Sequence, residues 1–374
     1  MKIKAAVLHE MGAERPYAKS KPVRVEEVEL DPPQEGEVLV KLTAAGLCHS
    51  DLSILKGVRP RPLPMVIGHE GSGVVEAVGP GVDDLVPGDH VVFIFMPTCG
   101  ECDPCKEGRP AICDNGLAAN VAGTLLGGGK RLKLNGEYIN HQVGVSCFAE
   151  YAVSSRKSLV KVDPKLPLDH AALFSCAVIT GVGNVVNAAK VRAGSSVAVV
   201  GLGGTGLAAI LGARAVGAAN IVGLDMRKSK LELGKQLGAD MVFDASAGDV
   251  VDQVKQATNG GVDYAIECVG KVEAMEMAYA ITRRGGTTVT SGLSHPDHKL
   301  QISHVNMVVE ERTMIGSYLG SCVPSRDIPH YIQMFQHGRL PVDSLISTTI
   351  ALDDINEGFD ALDDGDVVRQ IITF

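Results

Sequence analysis

Short runs that alternate apolar and polar residues, VRVEEVEL, EVLVKL and GSGVVEAV, occupy Val23 to about Val92. They are parted by clusters rich in Pro and Gly such as DPPQEG and VGPGVDDLVPGDH. A period near two predicts strands with one buried face, and the turn residues between them predict a twisted antiparallel sheet or partial barrel. After about Ala177 the pattern changes. Apolar runs (SVAVVG, NIVGLD, VDYAIECVG, TTVTSG) alternate with stretches of helical period (GLAAILGARAVG, KSKLELGKQLGA, VEAMEMAYAITRR). Such alternation predicts a doubly wound parallel sheet, so the fold class is α/β. Val197 to Ala213 is almost wholly apolar, but it is rich in glycine and is stopped by Arg214. It therefore reads as a strand and helix of this sheet rather than as part of a membrane span.

At 374 residues the chain is longer than one core usually serves, which predicts two domains. Its formal charge is −9 with dispersed Lys and Arg, a pattern without the footprint expected for nucleic acid or an anionic membrane. Small-molecule partners are expected instead. MKIKAAVLHEMG reads as a strand and lacks the apolar core of a signal peptide, so a cytoplasmic location is expected. Nine cysteines in a reducing compartment serve metals or stay as buried thiols.

Two motifs carry local chemistry. Gly201-Leu-Gly203-Gly204-Thr-Gly206 follows the strand SSVAVV and opens a helix, the setting a dinucleotide fingerprint requires. The glycines permit a tight turn, close approach of backbone to a pyrophosphate and close helix–strand packing. Asp225 ends the next strand, where a carboxylate accepts from ribose hydroxyls and repels a 2′-phosphate. NAD is thus expected over NADP, with Arg227 and Lys228 beside that acid. The second motif is Cys99, Cys102, Cys105 and Cys113 in CGECDPCKEGRPAIC, four thiols in a loop without apolar period. That set suits a closed structural zinc site. An iron–sulfur cluster also takes four thiolates, but the ferredoxin run closes with a shorter gap than the seven residues found here. Cys48, His69 and Cys176 form a further candidate set with no local spacing to link them.

GLCHSD, GHEGSG, the four-cysteine segment, SCAVITGVG and GLGGTG stand in the order seen in zinc-dependent medium-chain alcohol dehydrogenases. The resemblance runs from the first strand to the terminal RQIITF, and it is to the long-form branch that includes the animal liver enzymes. It implies that Cys48, His69 and Cys176 hold a catalytic zinc, the Cys₂His set of alcohol dehydrogenase, with a second, structural zinc in the four-cysteine lobe. Glu70 matches an acid that approaches the metal, and Asp51 a carboxylate that orients His69. Ser50 matches the hydroxyl that takes the alcohol proton. Ser53 stands where liver-type enzymes carry the histidine that ends the relay. His49 and Arg369 match contacts to the cofactor pyrophosphate, Lys230 an adenosine-side contact, and Phe95 an aromatic wall of the substrate pocket.

The resemblance further implies a GroES-like partial β-barrel catalytic domain, residues 1–177 and 321–374, and a Rossmann coenzyme domain, residues 178–320. It implies reversible oxidation of an alcohol to an aldehyde or ketone with hydride transfer to NAD. A homodimer joined through the strand in ERTMIGSYLG is expected, with a small alcohol or aldehyde as the other partner. The competing readings are a dehydrogenase for S-(hydroxymethyl)thiol adducts of formaldehyde and a non-catalytic zinc- and nucleotide-binding relative. Against the first, the loop LSILKGVRPRPLPMVIG carries Arg59 and Arg61 but no carboxylate. Against the second, none of Cys48, His69, Cys176 or Ser50 is missing.

Overall fold

The computed structural model describes residues 1–374, which form two compact units. The first comprises Met1–Cys176, Val323–Ile332 and Ile346–Phe374, and the second Ala177–Cys322 and Gln333–Leu345. Apart from shifts of one residue at 177 and two at 321–322, this differs from the expected division in one segment. Residues 333–345 pack with the second unit, because the turn Val342–Leu345 lies against the helix Gly204–Ala215 and buries Leu340, Val342 and Leu345.

The first unit is built on two mainly antiparallel sheets. In one, Lys2–Leu8 lies between Val23–Leu30 and Met65–Val66 and covers a core of Ile3, Val7, Val28, Leu30, Val66 and Leu132. In the other, the strand Glu37–Leu47 is the organising element. It pairs antiparallel with Gly71–Val78, with Tyr151–Ser155 and with the C-terminal strand Arg369–Thr373. Two registers gather side chains from distant segments. Ala45 faces Gly71, and Leu47 faces Gln370. Cys48, Glu70 and Arg369 each lie one residue beyond those pairs, so the three meet at one end of the sheet.

His141, in a two-residue strand parallel to Met65–Val66, is 1% exposed, and its Nε2 accepts from the Arg131 N–H at 3.0 Å. Burial, with the cations of Arg131 and Lys130 adding to it, pushes His141 down to about 3. An unfolded histidine titrates near ~6.5. The folded unit therefore keeps this contribution above that value and loses it as pH falls toward 3, about 2 kcal/mol of it by pH 5. The thermal unfolding midpoint should fall between pH 7 and pH 5, and fall less in His141→Gln, whose amide oxygen can still accept from Arg131. Parallel curves for the two proteins would show that His141 does not set this pH dependence.

The second unit is a six-stranded sheet in the order Met241–Asp244, Asn220–Asp225, Ser196–Val200, Val262–Glu267, Thr282–Thr290 and Thr313–Gly316, all neighbours parallel. The strand order reverses beside Ser196–Val200, the switch point at which such sheets bind ligands. The apolar run from Val197 is the end of that strand and the helix Gly204–Ala215. No single helix is long and apolar enough to cross a membrane.

Candidate metal centre and dinucleotide turn

Cys48 caps the helix His49–Leu55, and this short element sets up half of the first site. The Asp51 Oδ2 accepts from the Cys48 N–H at 3.2 Å, closing a capping box. Its Oδ1 is left to accept from His69 Nδ1 at 2.6 Å. A histidine that donates through Nδ1 presents a bare lone pair at Nε2. In this structure His69 Nε2 is buried and has no hydrogen-bond partner. The Cys48 and Cys176 sulfurs, His69 and a Glu70 oxygen all lie within 4.8 Å of one another. The thiols are half-buried, and the imidazole and carboxylate are buried.

Cys176 reaches the site because its neighbour is bolted to the sheet. The Ser175 hydroxyl donates to the Gly71 carbonyl at 3.0 Å and accepts from the Gly71 N–H at 3.1 Å. Opposite, Glu70 Oε2 pairs with Arg369, and Glu70 Oε1 stands 3.6 Å from His69 Nε2. Gly46 is needed here, since a Cβ would meet Glu70 Oε2 at 2.5 Å and Arg369 Nη2 at 2.7 Å. The charges respond to this crowding. The shared hydrogen bond with Cys176, then the His69 partner, brings the Cys48 thiol well below its usual range against the effect of burial. Burial disfavours a charged His69, but Asp51 and Cys48 outweigh it and raise His69 to about 10, so a metal entering this site must displace the proton on Nε2 to take its lone pair. Two thiolates and a pre-oriented imidazole are a donor set that fits a zinc ion.

The four-cysteine lobe fits zinc by its dimensions. A tetrahedron with Zn–S of about 2.3 Å has edges of about 3.8 Å. The Cys99–Cys105 sulfurs are 3.8 Å apart and the Cys102–Cys113 sulfurs 3.9 Å, far beyond a disulfide. Backbone N–H groups of Glu101 and Cys102 reach Cys99 Sγ at 3.4 Å, and Gly116 N–H reaches Cys113 Sγ at 3.3 Å. Burial raises Cys99, but those N–H groups and the other thiols outweigh it and bring it to about 6. Cys105 is pushed up to about 12, first by burial and then by neighbouring thiols. Four thiols this close cannot all ionise unless a cation balances them.

In the second unit Gly201 turns the chain at φ +90°, and Gly206 packs so tightly that a Cβ would sit 1.8 Å from the Gly201 carbonyl. Gly203, the cap of the following helix, has open space within 4 Å of where its Cβ would stand. Gly204 is the first residue of that helix. The turn thus leaves room for a phosphate against helix N–H groups. Asp225 Oδ2 accepts from the Leu202 N–H at 2.8 Å and Oδ1 from the Arg227 N–H at 2.9 Å, which fixes the carboxylate at the end of its strand. Lys230 is buried on the helix Lys228–Leu237.

Other sequence-predicted residues cluster around the first site. Ser50 is half-buried in the first turn after Cys48, and His49 is exposed at that helix's first position. Phe95 stands edge-on to His69, with ring centroids 5.5 Å apart. Ser53 does not point its proton outward. Its hydroxyl donates to the His49 carbonyl at 2.7 Å and accepts from Arg59 Nη2 at 3.0 Å. Two residues escaped sequence reasoning. Ser175 could have been suspected as the neighbour of Cys176. Gln142, whose Nε2 donates to Asp51 Oδ1 at 2.6 Å, is 91 positions away from Asp51 and carries no local signal.

The family described as "Alcohol dehydrogenase GroES-like domain" matches residues 34–164, and that described as "Zinc-binding dehydrogenase" matches residues 204–337. The chain is 41% identical over 376 residues to the NDMA-dependent alcohol dehydrogenase of Amycolatopsis methanolica, covering 100% of this chain and 99% of that one. The crystal structure of benzyl alcohol dehydrogenase from Acinetobacter calcoaceticus superposes with a TM-score of 0.93 at 34% identity, over 100% and 99% of the two chains. A zinc-binding dehydrogenase from Sinorhizobium meliloti 1021, bound to NADP, superposes at 0.82 with 27% identity over 100% of both chains. Relatives that match along the whole chain, on a scaffold carrying both cysteine sets and the glycine turn, make this protein a member of the zinc-dependent medium-chain alcohol dehydrogenases.

Proposed function

We propose that Cys48, His69 and Cys176 hold one zinc ion, that Cys99, Cys102, Cys105 and Cys113 hold a second, and that the chain oxidises an apolar alcohol with NAD. The observation that carries the reading is the buried His69, held at Nδ1 by Asp51 and bare at Nε2 among two thiols. When bound, zinc supplies Lewis acidity that lowers the pKa of an alcohol, and NAD supplies the hydride acceptor. The residues do the rest. Asp51 keeps the proton on His69 Nδ1. Arg369 balances the charge of Glu70, so that a buried carboxylate can stand beside the thiolates.

Ser50 is the proposed acceptor of the alcohol proton. Ser53 brings no imidazole to extend that path in the liver-type manner, and its hydroxyl donates to the His49 carbonyl. Phe95, edge-on to His69, supports an apolar wall and hence an alcohol with an apolar body. The test is appearance of reduced cofactor with primary, secondary and aromatic alcohols, with NAD or NADP, before and after chelation. Chelator-sensitive turnover of one class is expected. Silence across the panel in zinc-loaded protein, with turnover of formaldehyde plus a thiol, would overturn the choice of substrate.

The preference for NAD is proposed to rest on the charge of Asp225. Asp225→Asn keeps an acceptor for the turn but removes the charge, beside the exposed Arg227 and Lys228. Loss of about 1.5 kcal/mol from a charged hydrogen bond corresponds to roughly a tenfold rise in KM for NAD. The ratio of kcat/KM for NAD over NADP should narrow by at least that factor, and an unchanged ratio would clear Asp225 of the role.

Homodimer formation is proposed through Thr313–Gly316. That strand lies at the open edge of the parallel sheet, and the nearby helix His304–Val309 exposes Val305, Val308 and Val309. A cytoplasmic location is proposed because two sets of thiols in metal-binding geometry suit a reducing compartment.

A further inference from the structure

Gln142 is 2% exposed and lies in the segment after the short strand Asn140–His141. Its side chain bridges Asp51 and the backbone of the residue before His69. Oε1 accepts from the N–H of Gly68, the residue before His69, at 2.6 Å, and Nε2 donates to Asp51 Oδ1 at 2.6 Å. The orientation of the amide is dictated by its neighbours. Flipped, it would set an NH₂ against the Gly68 N–H and an oxygen against a carboxylate, turning two attractions into two repulsions. The Gln142 backbone is itself anchored, since its N–H donates to Ser146 Oγ at 3.0 Å while Ser146 Oγ donates to the Val66 carbonyl at 2.8 Å. Gly68 is fixed from the other side, where its carbonyl accepts from the Cys147 N–H at 2.8 Å.

We infer that Gln142 is a positioning residue for the metal ligand His69, acting as a clip that sets the distance and plane between His69 and Asp51. Asp51 Oδ1 accepts from His69 and from Gln142, and Oδ2 accepts from the Cys48 N–H. Three donors on three different segments leave this buried carboxylate one permitted orientation. His69 Nδ1 must meet it there, which aims Nε2 at the two thiols. Without Gln142, Asp51 Oδ1 keeps only the His69 donor, which loosens the plane of the carboxylate, and the buried Gly68 N–H loses its acceptor. Neither loss touches substrate or dinucleotide.

The inference rests on the proposed ligand role of His69, and the test separates the two. Cobalt is loaded into the zinc-depleted protein, and its thiolate charge-transfer and d–d bands are recorded. Release of the native metal to a coloured chelator is timed in parallel. The lobe contributes bands of its own, so the share removed by Cys176→Ser is assigned to this site and would uphold the ligand set whatever Gln142 does, while a spectrum unaffected by Cys176→Ser would sink that reading instead. Gln142→Leu should speed metal release from this site about tenfold, the lower end of the range for removing a direct partner of a metal-bound histidine, since it acts one step further out through Asp51. Release from the four-cysteine lobe should stay unchanged, and the d–d bands should shift.

Gln142→Glu keeps the acceptor for Gly68 but can donate to Asp51 only while protonated, so its metal release should approach that of the leucine variant as pH rises. Asp51→Asn and the double variant with Gln142→Leu complete a cycle. If Gln142 works through Asp51, the double variant should be little worse than Asp51→Asn alone. Unchanged release and bands in Gln142→Leu, native-like release by Gln142→Glu across the whole pH range, or full additivity in the cycle would each overturn the assignment. Should Gln142→Leu fail to fold, as judged by loss of the lobe metal, the glutamate variant and the Asp51→Asn comparison decide it.

Discussion

Cys176→Ser is expected to bind one zinc fewer than the native protein and to lose about a thousandfold or more in kcat/KM. Serine is nearly isosteric, so the anchor formed by Ser175 on Gly71 should survive and the fold with it. What changes is the donor. A thiol ionises in a site that stabilises its charge, whereas a serine hydroxyl stays protonated near neutral pH and is a poor zinc ligand. The remaining pair, Cys48 and His69, then holds metal too weakly to retain it. Lewis acidity contributes several kcal/mol of transition-state stabilisation, and ~4 kcal/mol is a factor of about a thousand. Dinucleotide affinity, measured by quenching or calorimetry, should be unchanged, because the glycine turn at Gly201–Gly206 is built wholly within the second unit. Retention of both zinc ions with activity within tenfold of native would exclude Cys176 as a ligand.

The second large effect is structural. Cys102→Ser should release the zinc of the four-cysteine lobe, lower the thermal unfolding midpoint by roughly 10 °C and open the segment around Gly100–Arg109 to proteolysis. This lobe has little else to hold it. Its helices Asp103–Lys106 and Asp114–Ala122 are short, and Ile112, Leu117 and Val121 are exposed, so apolar burial contributes little. The sulfurs accept backbone N–H groups from Glu101, Cys102 and Gly116, and without a cation that fan of thiolates repels itself. Initial turnover measured before unfolding should fall far less than in Cys176→Ser, since none of Cys48, His69 or Cys176 lies in the lobe. A lobe variant that keeps its zinc and its melting point would show that three thiols suffice and that Cys102 is dispensable.

Both cysteine sets are pulled together by different kinds of information. The lobe and the glycine turn were legible from the chain alone because their geometry is local. Four ligands within fifteen residues can reach one ion with only turns between them, and a strand–turn–helix of six residues fixes the positions of Gly201, Gly203 and Gly206. The strand and helix periods likewise marked antiparallel strands before Cys176 and a parallel sheet after it, since burial of one face imposes its period on the sequence, but not the division of the antiparallel strands into two sheets.

The centre containing His69 had no such local basis and was reached from the sequence only through resemblance. Its members come from chain positions 48, 69 and 176, and what unites them is register: Ala45 opposite Gly71, Leu47 opposite Gln370, and a serine hydroxyl joining Ser175 to Gly71. Register follows from side-chain burial summed over whole strands, a quantity no short motif encodes. For the same reason only the folded chain disclosed the Arg369–Glu70 pair, the commitment of the Ser53 proton to His49, the transfer of residues 333–345 to the second unit and the Gln142 clip. Each is a contact between segments distant in sequence or a choice among hydrogen-bond partners, and such choices are made by packing once the sheets have closed.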